Sequence, residues 1–207
     1  PCASFSADAC RFATAHSSAV RPLRLLASFF APICSSSATV GPCPAADAAI
    51  NGVAAGAGSV LALASDLRVM SEKAKFAFLF TKVGLTGADM GAAWLLPKII
   101  GTGRAMELLM LGDKVVAEEC YRIGLTNRVV APEELMTEAL AVAKQLANGP
   151  NLAYGMTKKM VWNEWPMNLD AAIEQEAQAQ ALLLRAGDHR EFYDAWMQKR
   201  EPKFEGR

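Results

Sequence analysis

Histidine is nearly missing from this chain, and that removes a large part of enzyme chemistry. His16 and His189 are the only two, near opposite ends of 207 residues. A Ser-His-Asp or Cys-His relay needs an imidazole beside its nucleophile, so it has almost no material here. Cysteine is scarce in a different way: there are five, four of them among the first 43 residues, without paired spacing or an adjacent histidine. That pattern supports neither a disulfide framework nor a zinc or other metal site. Charge of one sign is lacking too. Twenty-one basic side chains balance twenty-one acidic ones, so the basic footprint that nucleic acid requires is absent. No apolar run reaches bilayer length, which excludes a spanning segment and fits a cytoplasmic protein.

What is present divides unevenly. Residues 1–46 are rich in Ser, Ala, Pro and Cys, contain no Lys or Glu, and have Asp8 as their only acid. Within them "RPLRLLASFFAPICSSSA" has the basic, apolar and small-residue order of a targeting segment. Its place after some twenty unpatterned residues argues against that, and the stretch also reads as an altered or out-of-frame start. The expectation is a loosely packed arm over 1–46, a strand-bearing core over 47–110 and a helical region over 111–207.

From Asp47 onward ordinary rules apply. Ala48–Gly52 reads as a buried strand, Ser59–Ala64 as a short helix, Leu67–Met70 and Lys75–Phe80 as strands. Ala92–Ile100 predicts a helix, and Thr102 caps another that Gly112 ends. "PEELMTEALAVAKQLANG" places Pro at a helix start and Gly at its stop. Helices around 151–164, 168–185 and 189–200 follow, the last with Asp188 and Glu191 at capping-box spacing.

The stretch "INGVAAGAGSVLALASDLR" raises the functional question. Glycines between a strand and a helix start leave main-chain N–H groups facing outward, where they hold a negative oxygen. The spacing is not G-x-G-x-x-G, and no Gly-Lys-Ser/Thr follows, so neither phosphate-binding motif is met. Two readings remain: an oxyanion hole of main-chain donors, or tight helix–strand packing.

That stretch resembles the signature of the enoyl-CoA hydratase/isomerase, or crotonase, family. The likeness continues through "KFAFLFTKVGLTGADMGAAWLLPKIIG", "AMELLMLGD", "AEECYRIGLTNRVV" and "FYDAWMQKREPKF", from about Asp47 to the end; residues 1–46 do not match. The resemblance implies an α/β fold, a spiral of β-β-α turns whose N-terminal part is incomplete or altered here, followed by helices that build a homotrimer or hexamer. It implies an acyl-CoA thioester as partner and no separate cofactor, coenzyme A being part of the substrate. It places an oxyanion-hole donor at the backbone N–H of Ala57, flanked by Gly56 and Gly58 against the acyl group, and puts Lys158, with Lys159 beside it, near the CoA phosphates. A second donor comes from an N-terminal block that residues 1–46 do not show.

The family's hydratases divide acid and base work between two glutamates. Val60 and Phe80 stand at those two positions, so hydration by that pair is excluded. Asp89 in "GADMG" is the acid left nearby, either as the single proton shuttle or as the cap of the helix beginning near Gly91. The expected function is enolate chemistry on an acyl-CoA; the alternative is a catalytically impaired acyl-CoA-binding or assembly subunit. Asp66 reads as a partner of Arg68 or a turn residue, and Cys120 as inert. Phe192, Trp196 and Phe204, with Trp94, Trp162 and Trp165, read as packing.

Overall fold

The computed structural model describes the backbone of residues 12–14 and the chain from 47 to 207. The expectations for residues 1–46, including the missing donor block, otherwise lie outside the described residues. The described chain divides into two compact units, one of residues 12–14 and 47–142, the other of 143–207.

Among the described residues, the first unit holds all the strands. β1 (Phe12–Thr14), β2 (Asp47–Ile50), β4 (Leu67–Ser71) and β7 (Arg128–Val130) form one parallel sheet in the order β1-β2-β4-β7. β3 (Val53–Ala55), β5 (Lys75–Ala77) and β6 (Lys114–Val116) form a second, with β3 parallel and β6 antiparallel to β5. Consecutive strands alternate between sheets: β2 then β3, β4 then β5. A helix follows each of these pairs, α1 (Ala57–Leu63) and then α2 (Ala92–Ile100), so every β-β-α turn feeds both sheets. This is the spiral that the resemblance implied.

Small residues allow the turns to stack closely. Ala48, Ala49 and Ile50 of β2 are buried, as are Val69 and Met70 of β4 opposite them in register. Phe76 and Phe78 stack beneath with ring centroids 6.3 Å apart. α5 (Leu135–Ala147) covers Ala49 and Val69 with Leu135 and Ala139. α2 and α3 (Thr102–Leu111) pack together, and α4 (Ala117–Arg122) leads into β7.

Arg68 joins distant parts of this unit. The residue is 6% exposed, and its guanidinium donates from Nε to the Leu125 carbonyl at 2.7 Å and from Nη1 to that of Ser65 at 2.6 Å. The Arg68 N–H donates to Asn127 Oδ1 at 2.8 Å, and its carbonyl accepts from Thr126 Oγ1 at 2.9 Å. Burial lowers the Arg68 pKa, and the negative charge of Asp66 opposes that. A buried guanidinium is tolerated because carbonyl oxygens replace its water.

Local expectations change at several places: the strand read over Ala48–Gly52 covers Asp47–Ile50, with the separate strand β3 after the bend at Gly52, and the helix read over Ser59–Ala64 covers Ala57–Leu63. β5 stops at Ala77 rather than Phe80, because the chain turns into a 3-10 helix over Thr81–Val83. Gly101 takes the N-cap position of α3 with no side-chain bond, and Thr102 is the first helical residue. Pro132–Glu134 form a turn before α5 begins at Leu135. The Asp188–Glu191 capping box does not form. α8 (Gly187–Gln198) has Ala186 at its N-cap position, and both carboxylates instead serve the returning tail. Asp188 accepts the N–H groups of Glu205 and Gly206, while Glu191 accepts two nitrogens of Arg200 and the Lys203 N–H at 2.8 Å. The tail's amides have no strand partner, so they compete for carboxylates that a helix end would otherwise use.

The second unit comprises α6 (Asn151–Glu164), α7 (Leu169–Leu183) and α8, with Asn168 capping α7 through a 2.9 Å bond from the Ala171 N–H. Phe204 of the tail lines an apolar cavity of about 290 Å³ with Leu152, Leu183 and Phe192. Among the described residues no helix is long and apolar enough to cross a membrane.

Candidate active site

The corner between β3 and α1 is held from two sides. Gly56 has φ 52°, a conformation costly for any residue with a side chain. Its N–H donates to the Ala77 carbonyl at 3.0 Å, and its own carbonyl accepts from Ser59 N–H at 3.0 Å. The buried Ser59 hydroxyl lies 2.7 Å from the Ala54 carbonyl and 2.8 Å from that of Ala77, sharing its proton between them. The ends of β3 and β5 are thereby tied to the first turn of the helix. Ala57 is the first helical residue and is exposed. Among the described residues no acceptor takes its N–H or that of Gly58. These are the orphan donors every helix start leaves. They face outward beside glycines that leave the approach open: at Gly58 an added β-carbon would meet no atom within 4 Å.

Val60, at the first of the family's carboxylate positions, is 2% exposed in the core. Phe80, at the second, is half-buried and sits three residues past the Ala77 carbonyl that holds Gly56. Its Cε1 lies 4.0 Å from where a β-carbon on Gly56 would stand. The structure thus brings the second position to the glycine corner, filled by an aromatic ring.

Asp89 is presented by a built loop. Thr86 Oγ1 accepts the Ala88 N–H at 3.1 Å. Gly87 is buried against α3 so closely that an added β-carbon would stand 2.6 Å from the Leu109 carbonyl oxygen. Met90 then adopts φ 49°, a left-handed conformation in which a side chain stores strain. Asp89 itself is exposed. The expectation that its carboxylate caps α2 is corrected: Gly91 takes the N-cap position with no side-chain bond, and only the Asp89 main-chain carbonyl receives the Ala92 N–H, at 2.8 Å. The positive φ at Met90 and Gly91 turns the chain too early for the side chain to reach the helix amides. α2, which follows Asp89, packs on α1.

Lys158 lies half-buried on α6 in the helical unit, with Lys159 exposed next to it. Cys120 is fully buried with Sγ 3.7 Å from the Val115 carbonyl, and burial pushes its thiol up to about 12. It is no nucleophile at neutral pH. Two residues escape the sequence reading. Ser59 follows the glycines as an ordinary small residue, and only the approach of β5 gives it a role. Asp47 begins β2 at 2% exposure, with no hydrogen-bond partner for either oxygen among the described residues. Burial, reinforced by Asp66 and opposed by Arg128, raises its carboxyl to about 6. An acid at the head of an otherwise apolar strand is the signal that could have found it.

Comparison with known proteins gives a consistent answer. A sequence model described as enoyl-CoA hydratase/isomerase matches residues 39–207. The 1,2-epoxyphenylacetyl-CoA isomerase of Escherichia coli (strain K12) is 39% identical over 77% of this chain and 60% of its own length. The crotonyl-CoA hydratase of Syntrophomonas wolfei is 35% identical over 76% of this chain and 60% of its own. A crystal structure from Streptomyces coelicolor A3(2) that carries an enoyl-CoA hydratase name superposes with a TM-score of 0.78 at 51% identity, covering 80% of this chain and 60% of that one. The chain therefore spans about 60% of the length of these relatives. With its alternating two-sheet spiral and glycine corner, it belongs to the enoyl-CoA hydratase/isomerase family and has the crotonase-like fold.

Proposed function

We propose that the chain binds acyl-CoA thioesters and shifts a proton on them through an enolate, in fatty-acid or other acyl-CoA metabolism. The observation that carries this reading is the outward, unclaimed N–H of Ala57 at the start of α1. A thioester oxygen gains negative charge as a neighbouring C–H bond breaks, and a donor fixed beforehand stabilises that charge without rearranging. Asp89 is the base in this scheme. Its carboxylate takes a proton from the acyl chain, the electron pair spreads onto the thioester oxygen, and the same proton returns one double bond along. Nothing is added and nothing leaves, so no water needs activation. Val60 and Phe80 favour isomerisation over hydration for that reason: neither can hold or deliver water.

Gly56 and Gly58 leave room for the acyl group, Lys158 meets the CoA phosphates as a point charge, and the helical unit joins copies into a trimer or hexamer. A cytoplasmic place is part of the same reading. Asp89→Asn is the test: double-bond migration in a 3-enoyl-CoA is expected to stop while calorimetric acyl-CoA affinity stays within a few-fold. Unchanged turnover removes Asp89 from the mechanism.

The same missing carboxylates favour a second reading, an acyl-CoA-binding or assembly subunit without chemistry. Calorimetric binding of a 3-enoyl-CoA without its isomerisation, and without hydration of crotonyl-CoA, would select it.

A further inference from the structure

Phe80 is one of three phenylalanines at alternate positions, Phe76, Phe78 and Phe80, and the three have different surroundings. Phe76 and Phe78 are fully buried and stacked, as core residues of a strand and its extension. Phe80 lies beyond the end of β5, at the start of the 3-10 turn, where its carbonyl accepts the N–H groups of Val83 and Leu85 at 3.2 and 3.0 Å. That turn stops the ring from following its neighbours inward. The ring rests at van der Waals distance from the vacant side-chain position of Gly56, with part of its surface open. Gly56 and Phe80 also hang from one support, because the Ala77 carbonyl that fixes Gly56 ends the strand leading to Phe80. An acyl group whose carbonyl oxygen reached the Ala57 N–H would run alongside this pair, with bare glycine backbone and the Phe80 ring packed together on one side of it.

We infer that Phe80 is a specificity-determining residue, an aromatic wall beside the Gly56–Ala57 corner that selects flat, unsaturated or ring-bearing acyl groups over flexible saturated chains. The inference rests on the reading of Ala57 as the thioester-oxygen donor. Its physical basis is twofold. Ring–ring contact contributes beyond the apolar area it buries, by an amount equal to roughly a three- to tenfold change in affinity. A flat rigid group also loses less freedom on being held against a fixed ring than an alkyl chain does.

The experiment is calorimetric titration of the whole chain with CoA, hexanoyl-CoA and phenylacetyl-CoA, in the parent and in Phe80→Leu, Phe80→Met and Phe80→Tyr. The parent is expected to bind phenylacetyl-CoA more tightly than hexanoyl-CoA. Phe80→Leu is expected to shrink that ratio roughly three- to tenfold, while Phe80→Tyr retains it. Phe80→Met keeps a flexible apolar side chain without the ring and carries the same expectation should the leucine variant not fold. An unchanged ratio in the leucine or methionine variant overturns the inference even when both thioesters outbind CoA, a result that leaves the Ala57 reading standing. Thioesters that bind the parent no better than CoA overturn the Ala57 reading, and this inference with it.

Discussion

Single residues carry the sharpest expectations. Ala57 occupies the first helical position, where proline is well tolerated because its missing N–H is an orphan in any case. Ala57→Pro therefore removes the proposed donor while keeping the helix. Turnover of a 3-enoyl-CoA is expected to fall on the order of a hundredfold or more, with the circular dichroism spectrum unchanged. Gly87→Ala acts at a distance. Its new β-carbon would stand 2.6 Å from a main-chain oxygen of α3, which cannot yield as a side chain would, so the loop bearing Asp89 has to move. The expected result is a loss of roughly 1–3 kcal/mol in urea unfolding and a fall in kcat larger than any rise in KM. Asp47 makes stability depend on pH. Its folded pKa of about 6 lies above the ordinary 3.8, so between these values the unfolded chain releases a proton that the folded chain retains. Stability should fall as pH rises through that window and then level off. Asp47→Asn should show a smaller fall in Tm from pH 4 to pH 6.5. Equal slopes for the two proteins would assign the effect elsewhere.

At the scale of elements, the glycine corner is a joint among β3, β5 and α1, and Ser59 is its pin. Ser59→Ala removes a hydroxyl shared by two carbonyls and should cost roughly 1–3 kcal/mol of stability, with activity falling alongside as the corner loosens. Helix positions were largely legible beforehand, since α2 matches its apolar pattern to the residue and α6 and α7 nearly so. Termini were less so. Thr102 and the Asp188–Glu191 pair had the right chemistry for caps, but a backbone turn at Gly101 and the returning tail decided otherwise. Local sequence proposes a cap, and whatever else needs the carboxylate competes for it. The carboxylate of Glu191 illustrates this: its bonds from Arg200 and the Lys203 N–H hold it down at about 2.

Across the molecule, the β-β-α spiral was anticipated through the resemblance of the glycine corner and the later motifs to a known family, while the sharing of its strands between two sheets was not. What sequence alone left dark were contacts between residues far apart in it. Phe80 beside Gly56, Gly87 under Leu109 and Arg68 against residues 125–127 depend on how turns stack, and no local pattern encodes that. The helical unit exposes Leu169, Leu182, Trp196 and Met197, each more than 60% accessible in a single copy. Large apolar side chains left this open are what the proposed trimer or hexamer would cover. Light scattering is expected to report a mass three or six times 22.1 kDa, and a stable monomer would refute the assembly proposed above.

Arg68 also ties the fold to the timing of synthesis. Its guanidinium and main-chain groups are answered by Leu125, Thr126 and Asn127, 57 to 59 residues further on. A ribosome adding about 5–20 residues per second needs roughly 3–12 seconds to supply them. Throughout that interval the Arg68 guanidinium has only nearby carbonyls such as that of Ser65, and the bonds that tie it to residues 125–127 form only once that segment has cleared the exit tunnel.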